Sequence, residues 1–303
     1  MILCCGESLI DMVPENGAFL PLPGGSVYNT AVALGRLGAK TAYLWPLSQD
    51  QFGKSLRGPL DEAGVDLSLS PSTARPTTLA VVFLKDGHAS YSFYDEGTAG
   101  RMFVPAELPP LPEKGISALF IGGISLIQDP CGNTVETLTQ RAAQAGIVVM
   151  VDLNIRPSLI TDEQATRDRL NRLMNIANIV KISDEDAAWL FPGTAAEQVS
   201  EQLLDLGPQL VLRTHGGDGA TAIHRNTCVT HPAERVTIAD TIGAGDTFNA
   251  GLLTALSESG NLSREALIGI DEIHLRGALG LAVRSAAITV SRHGANPPWR
   301  KEL

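Results

Sequence analysis

Basic charge is scarce in this 303-residue chain. Lysine and arginine number 23 against 33 aspartates and glutamates, for a net charge of −10 and a pI of about 5.1. No cluster of Lys and Arg builds the basic face that a nucleic-acid partner requires. Long apolar runs are missing as well. No stretch approaches the ~18 residues of a membrane span, and the opening MILCCGESLIDM has no basic leader and carries Glu7 and Asp11, so it predicts a first strand rather than a signal peptide. Cysteine is limited to Cys4, Cys5, Cys131 and Cys228. The adjacent pair is too close for an ordinary disulfide, and no CxxC or Cys/His spacing points to zinc. Reduced cysteines in a cytoplasmic protein are the expectation. The six histidines have no ligand spacing. Gly53-Lys54-Ser55 opens a helix after a strand, but a Walker A loop needs glycine at position 48, which is serine. No internal repeat, low-complexity tract or Pro/Ser-rich linker divides the chain, and Pro105–Pro112, its most proline-dense patch, reads as a surface connection.

What is present is an alternation of strand-like and helix-like segments. Ile2–Cys5, Thr41–Leu47, Ala118–Ile121, Val148–Asp152, Ile179–Ile182 and Gln209–Arg213 are short apolar runs. Helical patterns such as Tyr28–Leu37 and Gly53–Ala63 lie between them and end at Gly38 and Gly64. That rhythm predicts a mostly parallel sheet covered on both faces. Met12–Pro23 and Thr77–Tyr94 break it. The second reads as two strands, Thr78–Lys85 and Ala89–Tyr94, joined by Asp86-Gly87-His88, a hairpin signal. The expectation is one domain over residues 1–303, with a small antiparallel β lid drawn from about 12–23 and 66–100.

The chemistry concentrates in Asp240–Gly251, DTIGAGDTFNAG. Gly243-Ala244-Gly245 precede Asp246, and Phe248–Leu256 reads as a buried helix. The first N–H groups of a helix lack internal partners and sit at the positive end of its dipole. Small residues there let an anion approach. An acid at the rim would repel a phosphate, but it suits a base that takes a proton from a hydroxyl while the pocket stabilises a transferring phosphoryl group. An N-cap aspartate after a glycine turn is the competing local reading.

This stretch resembles the C-terminal signature of the PfkB, or ribokinase-like, carbohydrate kinases. The resemblance extends along nearly the whole chain: Gly24-Gly25 with Asn29 and Arg36-Leu37-Gly38, the Asp152–Arg156 D-x-N-x-R element, the Thr214–Gly219 loop, and Arg292-His293-Gly294-Ala295. Gly6–Asp11 and Val180–Ser183 resemble bacterial fructokinases most. The resemblance implies a ribokinase-like three-layer α/β/α sandwich with a mostly parallel central sheet and an antiparallel lid. It implies ATP-dependent transfer to a sugar hydroxyl, fructose first, with ribose, 2-keto-3-deoxygluconate or a nucleoside as other acceptors. A non-catalytic carbohydrate-binding protein on the same scaffold is the reading from a different class.

The resemblance also assigns roles. Asp246 is the base, and the amides of Gly243, Ala244 and Gly245 form an anion hole. Asp11, Gly24, Gly25 and Asn29 belong to the sugar site. Arg156 and Lys181 approach the ATP phosphates; a surface ion pair and a strand-end lysine are the plain alternatives. For Asp11 the alternative is a salt bridge within the flap. Thr214, Gly216 and Gly219 line the nucleotide site. Asp186 stands in for the acid of the family's N-x-x-E element, acting on magnesium through water, and Asp240 is a candidate ligand for a monovalent cation such as K+. Arg101 is a further candidate at the lid base, while Tyr91, Phe93 and Tyr94 read as lid packing. A homodimer through the lid edge is the expected assembly. The chain departs from the family at Val27, Ser48, Ser183/Asp186 and Val283.

Overall fold

The computed structural model describes residues 1–85, 88–111, 115–225 and 227–303. In chain order the strands are β1 (Ile2–Cys5), β2 (Leu9–Glu15), β3 (Ala18–Gly24), β4 (Thr41–Leu44), β5 (Leu47–Ser48), β6 (Ser72–Thr73), β7 (Leu79–Lys85), β8 (His88–Tyr94), β9 (Ala118–Gly122), β10 (Val148–Asp152), β11 (Ile179–Ser183), β12 (Leu210–Thr214), β13 (Ala220–His224) and β14 (Thr227–His231). The helices are α1 (Ser26–Arg36), α2 (Gln51–Glu62), α3 (Cys131–Gln144), α4 (Glu163–Ile176), α5 (Asp184–Leu190), α6 (Ala196–Leu206), α7 (Ala244–Glu258), α8 (Arg264–Ile268) and α9 (Glu272–Val290).

Eight strands form the main sheet in the order β14-β13-β12-β11-β10-β9-β1-β4, parallel from β12 through β4, with β13 and β14 added antiparallel at one edge. The central strands are buried along their whole length, which is why Val148–Asp152 is almost continuously apolar instead of alternating. Helices α1, α7 and α9 pack together on one side, and α3, α4 and α6 cover the other. The chain runs outward from β1 to β4 and returns on the far side of β1 at β9. Strand order therefore reverses between β1 and β9, the place where open α/β sheets leave a crevice beyond their carboxyl ends.

The expected strand Thr41–Leu47 breaks after Leu44. Pro46 has no amide to donate to a ladder, and Leu47–Ser48 pairs instead with Ser72–Thr73. Residues 66–73 therefore lie against β4 and β5, with the Tyr43 amide donating to the Asp66 carbonyl.

The lid is a four-stranded sheet, β3-β2-β7-β8. Its two outer pairs are antiparallel, while the inner pair runs parallel, with Ile10 opposite Leu79. The turn expected at Asp86-Gly87 lies outside the described residues, as does Pro112. Asp50 anchors the lid's base. Its carboxylate caps α2 at the Gly53 amide (2.7 Å) and takes the amide and hydroxyl of Thr77 (2.8 Å each). The Thr78 and Thr98 hydroxyls meet at 2.8 Å beside it.

Candidate active site

The N-terminus of α7 begins at Gly243, whose φ of 79° lies in the left-handed region that glycine adopts without strain. A side chain there would also fall 2.8 Å from the Ala295 Cβ. Gly243 is the N-cap, so Asp246 stands inside the first turn and is not the cap that the competing reading expected. Its carboxylate accepts a hydrogen bond from the Asn29 amide nitrogen at 2.9 Å, and its backbone carbonyl takes the Thr30 hydroxyl at 3.2 Å. The start of α1 is thereby joined to the start of α7. Burial pushes the Asp246 carboxyl up to about 7; the charges of Asp152 and Glu7 add to this, against the Asn29 hydrogen bond and Lys181. A carboxylate poised near neutral pH is suited to general base work.

Among the residues expected at the sugar site, Gly24 in β3 lies directly against the Asp11 carboxylate on β2. Burial lifts the Asp11 carboxyl to about 6. Gly25, at φ 111°, caps α1, and a side chain there would meet the Glu7 carbonyl oxygen at 2.5 Å. The Glu7 carboxylate bridges the Ser26 amide (3.1 Å) at the start of α1 and the Ser125 amide (3.2 Å) just past β9. Burial drives its carboxyl up to about 7 in spite of those amides. Glu7 thus sits at the switch point between β1 and β9.

A cavity of about 390 Å³ opens there, lined by Glu7, Trp45, Phe93, Arg101, Ser125 and Gln128 among others. Arg101 meets Gln128 and Asp95 in its wall. Phe93 and Tyr91, expected to pack the lid or an interface rather than to stack on a ligand, both line it. Burial pushes the Tyr91 phenol above its ordinary value, with the charges of Asp11 and Asp240 adding and Arg156 opposing. Val27 packs against Gly6, and the Ser48 hydroxyl accepts from the Asp50 amide; neither lines the cavity.

Lys181 is buried in β11, and its ammonium lies 2.9 and 3.0 Å from the two Asp152 carboxylate oxygens. It is also the nearest heavy atom to where a side chain on Gly245 would begin, at 3.4 Å. Arg156 is exposed, and its guanidinium donates to the neighbouring Ile155 carbonyl at 3.1 Å. The Asp186 carboxylate accepts from the Ile155 amide (2.7 Å) and, as half of a capping box on α5, from the Ser183 amide (3.2 Å). Asp240 accepts from the amides of Ile242 (3.1 Å) and Gly294 (2.9 Å).

Thr214 ends β12, and the Gly216–Asp218 turn follows it. Gly219 packs against the His231 carbonyl, and His231 borders a second cavity of about 500 Å³ that includes Glu234, Gly280 and Arg284. Val283 is buried in α9. Among the described residues no three His, Cys, Asp or Glu side chains cluster to cage a metal ion. Asp152, Asp186 and Asp246 all act on the Lys181 ammonium, so that region is acidic as well as basic. Asn249 on α7 and Glu7 were not singled out from sequence. Neither stands in a spacing that announces a role, although both lie within quoted motifs.

A helix N-terminus stripped of side chains, a buried acid inside it and a lidded cavity at the sheet's switch point define a class of α/β proteins built to handle a small polar molecule beside an anion. The comparisons narrow that class. Residues 2–302 match the model of the pfkB family carbohydrate kinases, and the chain belongs to that family. It is 44% identical over 281 residues to a fructokinase of Rhizobium leguminosarum bv. trifolii, covering 91% of this chain and 86% of that one. The structure of a fructokinase with bound ATP from Xylella fastidiosa superposes with a TM-score of 0.90 at 32% identity, over 97% of this chain and 93% of that one. Aminoimidazole riboside kinase from Salmonella enterica, complexed with aminoimidazole riboside and an ATP analogue, follows at a TM-score of 0.84 and 26% identity, over 97% and 94%.

Proposed function

We propose that this carbohydrate kinase transfers the γ-phosphoryl group of ATP to a sugar hydroxyl, with fructose as acceptor. The observation that carries the reading is Asp246: a buried carboxyl lifted to about 7, held by Asn29, in the first turn of a helix whose capping residues are glycine and alanine. The acceptor oxygen attacks the γ-phosphorus and its proton passes to Asp246. The bond from phosphorus to the β,γ-bridging oxygen breaks, and ADP leaves with that electron pair. The amides of Gly243, Ala244 and Gly245 stabilise the charge on the transferring group.

Asp11, Gly24, Gly25 and Asn29 hold the sugar. Thr214, Gly216 and Gly219 hold the nucleotide, and Arg156 swings from its exposed position to the phosphates. Magnesium, when bound with the nucleotide, neutralises phosphate charge, and Asp186 would hold one of its waters. Asp240 would support a monovalent cation near Gly294. Closure of the lid over the sugar excludes water and limits idle ATP hydrolysis. We further propose that the 303 residues act as one catalytic unit, paired through the lid edge and working in the cytoplasm. Among the described residues no helix is long and apolar enough to cross a membrane.

The likeness to aminoimidazole riboside kinase supports a second acceptor class, a ribosylated heterocycle. The test is ADP release with ATP, magnesium and one acceptor at a time. Turnover on fructose well above that on ribose, 2-keto-3-deoxygluconate and nucleosides is the expected result. Preference for a nucleoside would move the reading to the second class, and sugar binding with no ADP formed would overturn both.

A further inference from the structure

Beneath the N-terminus of α7, Lys181 is held in a buried polar cluster with Asp152 and Asn249. Asp152, at the end of β10, receives the Lys181 ammonium on both oxygens and, on Oδ2, the Asn249 side-chain amide at 2.7 Å. All three side chains are almost fully buried. Asn249 is on α7, four residues after Gly245, so it lies on the same face one turn along. The helix that forms the anion pocket thus reaches back to hold the carboxylate that holds the lysine.

Stability gives little reason for this arrangement. A buried ion pair contributes little net stability, because desolvating both charges offsets their attraction. The Asn249 carbonyl oxygen is buried without a hydrogen-bond partner, which is a further cost. A cation at a helix N-terminus also opposes the helix dipole. It becomes favourable when an anion arrives at the same place. An ammonium has three N–H donors, and the carboxylate of Asp152 accounts for two.

We propose that Asp152 and Asn249 are positioning residues for Lys181, holding its ammonium against Gly245 so that its remaining N–H serves the anion pocket during phosphoryl transfer. The inference rests on the kinase reading above.

Its test is the double variant Lys181→Met/Asp152→Asn, which removes both charges together and so leaves no orphaned ion. The expected result is a folded protein whose kcat falls by about 10²-fold, the usual loss for one charge-stabilising donor, while the acceptor KM stays within about threefold. Turnover near wild type in the folded double variant would overturn the proposal, because the pair would then serve only the fold. Asn249→Ala gives a second reading should the double variant not fold. A kcat lowered about tenfold at unchanged acceptor KM supports the positioning role, whereas unchanged kcat, or a loss that only follows the folded fraction, overturns it. A wild-type protein that turns over none of the acceptors would fault the kinase reading and this inference with it. Loss confined to the variants separates the two.

Discussion

Two regions of the molecule, one around Glu7, Asp11 and Asp246 and the other at Asp184, treat their acids in opposite ways. Glu7 and Asp246 are buried and Asp11 is partly buried, and burial raises all three carboxyls. Glu7 accepts from backbone amides and Asp246 from the Asn29 side chain. In the other region, burial works against the charge on Asp184 too, but His215 and Arg213, at 3.0 and 2.7 Å, hold its carboxyl below the usual range. The first environment lets a carboxylate exchange a proton with a hydroxyl near neutral pH. The second keeps an acid ionised and neutralised beside the loop assigned to a polyanion. Groups of one type acquire different chemistry from burial and from which neighbours carry charge.

The largest test of this contrast is Asp246→Asn. Turnover should fall by roughly 10²–10⁴-fold if the carboxylate is the base, with acceptor affinity in equilibrium titration nearly unchanged. Near-normal turnover would remove Asp246 from the mechanism. The pH profile sharpens the same point. A base at Asp246 must be deprotonated to act, and burial lifts that carboxyl to about 7, so on the proposed mechanism kcat/KM should climb as pH rises through about 7. A limb near pH 4 would mean that the burial has no such effect.

The stability consequence has the opposite sense. An acid raised on folding binds its proton more tightly in the folded state, so the stability it confers is present below its unfolded value of about 4 and is lost as pH rises through about 7. Asp246→Asn should therefore melt several degrees higher than wild type at pH 8 and gain nothing near pH 4, as read by calorimetry.

A smaller effect is expected at the lid's base. Asp50→Ala removes the α2 cap and both bonds to Thr77. It should cost about 1 kcal/mol in denaturant unfolding and raise the acceptor KM more than the ATP KM. The smallest effect is expected at Asp184. Asp184→Asn breaks half-exposed pairs of the kind that contribute about 0–1 kcal/mol. It should shift the ATP KM by no more than about fivefold and leave the acceptor KM alone. A large loss there would erase the contrast.

Some of this was legible in the chain because the physics is local. Small residues before a buried apolar run marked a helix start, and α7 does begin at Gly243, at a positive φ that suits glycine. Continuous apolar runs marked the buried parallel strands, and alternation across 78–94 marked a lid hairpin. Where local signals competed, the reading slipped: Trp45-Pro46 looked like strand, yet the proline ends β4 and the indole turns into the cavity wall. Tyr91 and Phe93 looked like lid packing because alternation says which face a side chain takes, not what that face covers. The parallel pairing of β2 with β7 joins segments far apart in sequence and left no local mark.

Backbone conformation and the period of apolar residues are local, so the chain alone announces most of the elements, their α/β alternation and the glycine-flanked start of α7. Folding is what brings the Ser26 and Ser125 amides to Glu7, Asn29 to Asp246, and Asp152 to Lys181 beneath Gly245. Those outcomes depend on burial and on charges brought together from distant parts of the chain, and desolvation and Coulomb fields act through space rather than along the sequence.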